Sequence, residues 1–234
     1  MTATIHNVMD FNNWGVTLLE SSDIYQARAF FSVAIDQMKR ILDEEMIREK
    51  KNSIRTASKP ELSRAMETSV SLPSLANSSL PYHDFLRPIY FSQDIVESKN
   101  PPLVKLSTSL LFNLALSNHA IAVQEVSPAS SSTTEDAIFL YQLAYCLQNA
   151  DGVELSWLHT MGMINNVGRL LAFVGVVDDA QQCFRHLLKQ LLVRVDNLSR
   201  GGAGTRLGDN GHIEGFIDNV LHMVLRNKES SPAA

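Results

Sequence analysis

The chain has 234 residues, 45% of them hydrophobic, and a formal net charge of −5. That apolar share is enough for a core, which excludes disorder along the whole chain. The acidic balance argues against general nucleic-acid binding, which rests on neutralising phosphates, and the absence of a run of about 18 uncharged apolar residues argues against a membrane-spanning helix. Two cysteines, Cys146 and Cys183, are too few for a disulfide framework or a four-thiolate zinc site. The first ten residues lack the basic start, apolar run and cleavage site of a secretory signal, so an intracellular protein, cytoplasmic or nuclear, is expected.

Helical periodicity predicts a first helix pair over residues 9–50. Phe11, Trp14 and Leu18 share one face of its first helix, and Asp23 stands as the N-cap of the second. Residues 52–106 read as a flexible or extended insertion. Its first half is rich in Ser, Thr, Asn and Ala; Pro81, Pro88, Pro101 and Pro102 then forbid a continuous helix. Within it Phe85, Leu86, Ile89, Tyr90, Phe91 and Ile95 suit an extended segment pinned against the helices. A second pair is predicted over 107–149 and a third over 154–199, parted at Gly175. A Gly-rich loop (201–211), an amphipathic capping helix (213–226) and an unordered tail (227–234) complete the chain.

An internal repeat organises these elements. Asn12-Asn13-Trp14-Gly15 is echoed by Asn165-Asn166-Val167-Gly168, and more loosely by Phe112-Asn113-Leu114-Ala115. In the outer copies an alanine follows the glycine after twelve residues, at Ala27 and Ala180; in the middle copy Ala137 follows Ala115 after twenty-two. From each alanine an aromatic stands at four and an apolar residue at seven: Phe31 and Ala34, Tyr141 and Ala144, Phe184 and Leu187. A small residue midway along the first helix lets a second helix cross near the lower end of the roughly 8–10 Å interaxial range.

This pattern resembles the tetratricopeptide repeat over about half the chain. It departs from the family in spacing, in lacking the proline after the second helix, and in the length of the second helices. The resemblance implies an all-α stack of three antiparallel helix hairpins plus a cap. Its first helices would line a concave groove for an extended peptide or a partner helix, in a single repeat domain spanning 1–234.

Asn13, Asn113 and Asn166 stand two residues before the small positions. Asparagine is a poor mid-helix residue because its amide competes for backbone hydrogen bonds. Three in one register call for a reason. The amide carries a donor and an acceptor, so it can pair with the N–H and C=O of an extended peptide, or it can tie one helix to another. Val16, Phe112, Leu116 and Arg169 flank this ladder and complete the expected peptide- or partner-binding set. Arg169 is the one cation there, so a Lys-rich clamp for C-terminal carboxylates is not expected.

No constellation supports catalysis. Cys183 and His186 share a helix face, but no third group is spaced to orient the pair and no further ligands are spaced for a metal. The 201–211 loop lacks the Gly-Lys-Ser/Thr ending and preceding strand of a phosphate loop. The leading expectation is a non-catalytic protein-interaction scaffold without cofactor or metal. It would bind a protein or peptide, with no nucleic acid or membrane partner. The alternative is a self-associating, homo-oligomeric component whose groove is filled by its own 81–106 segment or by a neighbouring subunit.

Overall fold

The computed structural model describes residues 4–52, 68–69, 83–92, 102–124, 132–150, 155–201 and 210–229. Among these the chain is all-α: α1 (Ile5–Glu20), α2 (Ile24–Asn52), α3 (Leu103–Gln124), α4 (Ser132–Ala150), α5 (Trp157–Phe173), α6 (Val177–Gly201) and α7 (Asn210–Glu229). Two short strands accompany them, β1 (Thr68–Ser69) and β2 (Ile89–Tyr90), paired antiparallel. Each helix packs on the next in sequence, α1 on α2 through α6 on α7.

The helix ends follow local chemistry. α1 begins a turn earlier than the periodicity suggests, because the Thr4 side chain accepts the Asn7 N–H as an N-cap. Ser156 caps α5 in the same way, accepting from the His159 N–H. The turns α1–α2 and α5–α6 are copies of one another, 153 residues apart. Ser22 and Gly175 both take positive φ, at 66° and 84°. The Asp23 N–H bonds the Leu18 carbonyl and the Val176 N–H bonds the Leu171 carbonyl, each at 2.9 Å. A left-handed residue closing these bonds is how helices commonly end. Glycine takes it freely in the second copy, whereas serine in the first bears its Cβ there.

The repeat positions meet inside the pairs. Ala27, Phe31 and Ala34 of α2, Ala137, Tyr141 and Ala144 of α4, and Ala180, Phe184 and Leu187 of α6 are all fully buried. A Cβ on Gly15 would lie 2.6 Å from the Phe31 ring, and one on Gly168 would lie 3.1 Å from Phe184. Glycine is therefore required at 15, and a side chain at 168 would crowd Phe184, whereas the second pair accepts Ala115 at the corresponding place.

Two expectations need correction. The 52–106 insertion does not run to 106: residues 103–106 form the first turn of α3, where the Leu106 N–H bonds the Pro102 carbonyl, since proline is tolerated at a helix start. The last helix is longer than 213–226, so 227–229 is helical rather than tail. By length and composition α3, at 22 residues, is apolar enough to cross a membrane, but 78% of its most apolar stretch is buried among the other elements. Its residues Ser109, Asn113, Ser117 and His119 face the protein interior. Most of the first half of the insertion (53–67 and 70–82), the 93–101 stretch, the 125–131 loop, the 202–209 loop and residues 230–234 lie outside the described residues.

The crossing argument sets opposite signs for two glycines. Gly15→Ala is expected to lower unfolding free energy by about 1–3 kcal/mol through overpacking against Phe31. Gly211→Ala, whose Cβ would meet nothing within 4 Å, is expected to be neutral or stabilising by up to about 1 kcal/mol, since alanine favours helix over glycine. Urea titrations of the two variants check this.

Candidate functional site, an asparagine ladder around residues 83–91

Residues 83–92 run extended through the helical array and meet α1, α3, α5 and α7. Apart from the short pairing of β2 with β1, backbone buried among helices has no strand beside it to satisfy its polar groups, so partners must come from side chains. Four asparagines supply them, one from each of those helices. The Asn219 Oδ1 accepts the His83 N–H at 2.8 Å, and its Nδ2 donates to the His83 carbonyl at 2.7 Å. Asn166 takes Phe85 in the same way, at 2.9 and 2.8 Å. Asn113 takes Ile89, at 2.8 and 2.7 Å. Asn13 takes Phe91, both at 2.9 Å.

Alternate residues of a strand point their N–H and C=O to the same side. The odd-numbered residues therefore face the amides, while Tyr90 turns the other way and pairs with Thr68. Arg87, the odd residue between the two halves, stands beside His159, whose pKa burial lowers with help from the Arg87 charge.

The ladder is two copies of one clamp. In the first, Asn12 adds a second donor to the Ile89 carbonyl at 3.0 Å, and its Oδ1 accepts from Asn113 at 2.8 Å. In the second, Asn165 adds a donor to the His83 carbonyl at 2.9 Å, and its Oδ1 accepts from Asn219 at 2.7 Å. The amides thus tie α1 to α3 and α5 to α7 while holding the segment. Asn12, Asn113, Asn165, Asn166 and Asn219 are buried; Asn13 is half-buried.

Side chains set the register. Phe85 and Ile89 are fully buried and Phe91 nearly so. Phe85 sits against Gly162, where a Cβ would overlap its ring, and His83 sits against Gly215 in the same manner. The Phe85 ring also packs near Phe112, His159 and Phe216. Asp84 meets Arg169, whose Nε donates to Oδ1 at 2.9 Å, and lies 3.6 Å from the His119 Nε2. Burial alone would raise the Asp84 carboxyl, but the contact with His119 and the charges of His119 and Arg169 outweigh it and hold the group well below the usual carboxylate range.

All seven residues singled out by sequence lie in this region or directly behind it. Asn13, Asn113 and Asn166 bond the segment, Arg169 pairs with its acid, and Phe112 packs against Phe85. Val16 and Leu116 are buried in the core. The expected open groove is not open: residues 83–91 of the same chain occupy it. Sequence reasoning missed Asn219, Gly162 and Gly215. The signal was a Gly-x-x-x-Asn pattern, Gly162 to Asn166 and Gly215 to Asn219, in which a socket for the guest side chain lies one turn before the amide that takes its backbone.

His186 and Cys183 take structural places. His186 Nε2 lies 2.9 Å from the Tyr145 hydroxyl, joining α6 to α4. Burial first and the charge of Asp179 second push the Cys183 thiol up to about 11, which leaves little thiolate at neutral pH. Among the described residues no three of His, Cys, Asp and Glu converge as metal ligands.

Removing a rung leaves two buried backbone groups without partners. At about 1–3 kcal/mol per orphaned group, Asn166→Ala is expected to cost at least about 2 kcal/mol in denaturant unfolding. Hydrogen exchange is expected to accelerate first at Phe85. His159 gives a pH signature. Burial, then the charge of Arg87, lowers its pKa to about 3 from 6.5. The unfolded chain takes up a proton below about pH 6.5 while the native chain does not, so this contribution is present above 6.5 and is lost as pH falls towards 3. Between pH 6.5 and 5 the loss is about 2 kcal/mol; His159→Gln is expected to flatten that part of the stability profile.

Compared with protein-family models, with curated proteins and with solved structures, the chain matches none.

Proposed function

We propose that this protein is a non-catalytic interaction scaffold of tetratricopeptide-like helix hairpins. Its inner groove is built to hold an extended peptide by the main chain, and in the resting protein its own residues 83–91 fill that place. One observation carries the reading: four asparagines in a common helical register each take both the N–H and the C=O of one residue of an extended segment. Main-chain pairing supplies affinity without reading side chains, and selectivity comes from the pockets between rungs. Here those pockets take an acid at Arg169, an aromatic ring at Gly162, and the Ile89 and Phe91 side chains further along.

Of the two functional expectations, the self-filled groove is the better supported. An external guest would have to displace Phe85 and Ile89, both fully buried, and break the Asp84–Arg169 pair. The groove therefore acts as an internal clasp, and access to it is controlled by the segment's own sequence.

A variant with Phe85→Ser, Ile89→Ser and Phe91→Ser weakens the occupant without touching the ladder. A fluorescent peptide spanning residues 82–92 is expected to bind this variant in anisotropy titrations and to raise its Tm, while the unaltered chain binds it at least tenfold more weakly. Adding Asn166→Ala to the triple variant is expected to abolish the binding. A helical triple variant, by circular dichroism, that takes up no peptide refutes the reading.

A further inference from the structure

The fourth rung carries a consequence for the end of the stack. Asn219 bonds the segment as Asn13, Asn113 and Asn166 do, so α7 stands where the first helix of a fourth pair would. In the first three pairs the residues two before and two after the rung are covered. They are Phe11 and Gly15, Leu111 and Ala115, Ile164 and Gly168, and all are buried or packed against the core. In α7 they are Ile217 and Leu221, 42% and 49% exposed, and no described helix covers them.

The adjoining face of α6 is open as well. Leu188 and Val195 of α6 correspond to Ile35 and Leu42 of α2, which pack partly against the core. Where α2 and α4 place exposed Lys39 and Asn149, α6 places Leu192 at 61% exposure. A leucine where the sister helices are polar marks a surface that is covered in use.

We propose that this ledge is a homodimer interface, in which the α6 ridge of one copy lies on the α7 ridge of the other, twice, about a two-fold axis. Charge selects the second copy as the occupant. On α6, exposed Arg185 and Lys189 border Leu188 and Leu192; on α7, exposed Glu214 and Asp218 border Ile217 and Leu221. Asp196 stands one turn beyond Leu192, so the basic border belongs to the first two turns of the stripe. A basic-edged apolar ridge beside an acidic-edged one is self-complementary under two-fold rotation, as an isologous interface requires. The ledge is separate from residues 83–91, so failure of the peptide-uptake test leaves this proposal standing, and the reverse holds.

Sedimentation velocity of the full chain from 1 to 100 μM is expected to show a monomer–dimer equilibrium. Leu192→Glu with Leu221→Glu is expected to weaken dimerisation at least 100-fold while keeping helical circular dichroism and Tm. Two charge reversals make the test independent of apolar loss. Arg185→Glu with Lys189→Glu, and Glu214→Lys with Asp218→Lys, each place like charges across both contacts of their own homodimer and are expected to be monomeric. An equimolar mixture of the two restores opposite charges at both contacts and is expected to dimerise. A full chain that stays monomeric to 100 μM, dimers indifferent to all these variants, or reversals that fail to reassemble on mixing each overturn the proposal. In the first case the ledge belongs to a different partner.

Discussion

The structure depends on pairing buried extended backbone with side-chain amides. A strand placed among helices cannot borrow hydrogen bonds from them, because helical N–H and C=O groups are already bonded along their own axis. Each unpaired group would cost about 1–3 kcal/mol. An asparagine amide presents its oxygen and its N–H side by side, matching the N–H and C=O of one extended residue. The helix-propensity penalty of asparagine is below about 0.7 kcal/mol per residue, smaller than the two orphaned groups that each rung prevents. That inequality explains why amides recur mid-helix in α1, α3, α5 and α7.

Backbone pairing alone does not choose a register, since a shift of two residues would offer the same groups. Here the side chains decide. Gly162 and Gly215 leave space for one ring each, and Asp84 lies where Arg169 and His119 meet it. A shift by one residue would turn Phe85 and Ile89 outward and bring Asp84 towards the amides. A buried ion pair is weak evidence for stability by itself, because desolvation offsets its Coulomb gain. As a marker of one alignment among several it is effective, since any other alignment leaves Arg169 in a buried site with its acid displaced.

The ladder is also joined to the pairing of the helices. The Tyr141 hydroxyl accepts from the Asn166 Nδ2 at 3.0 Å and lies 3.4 Å from His119. Tyr141 is the aromatic residue of the second pair, so the contact that closes α3 on α4 also steadies the rung that α5 offers to Phe85. Burial raises the Tyr141 phenol above its ordinary value, which keeps it neutral and able to serve as both donor and acceptor. The occupied groove and the helical stack are therefore one hydrogen-bonded unit.

Much of this was legible in the sequence because it is periodic. Helix positions followed from apolar spacing. The pairing of α1 with α2 and of α5 with α6 followed from an alanine and an aromatic standing twelve and sixteen positions after the glycine of the first helix. The unusual amides at Asn13, Asn113 and Asn166 stood out because asparagine is disfavoured inside a helix. What the sequence could not decide was where those amides aim. Facing a guest and tying helices together require the same residue type, and here Asn113 does both. Nor did the repeat register reveal Asn219, whose helix lacks the small residue two positions on that marked the other three, so that only its Gly215-x-x-x-Asn219 spacing echoed Gly162 and Asn166. Above all, residues 83–91 carry no strong periodicity, and their place is determined by groups 24 to 136 positions away in the chain. Hydrogen bonds across such separations exist only once the helices have assembled, so the occupant of the groove was a decision of the tertiary structure.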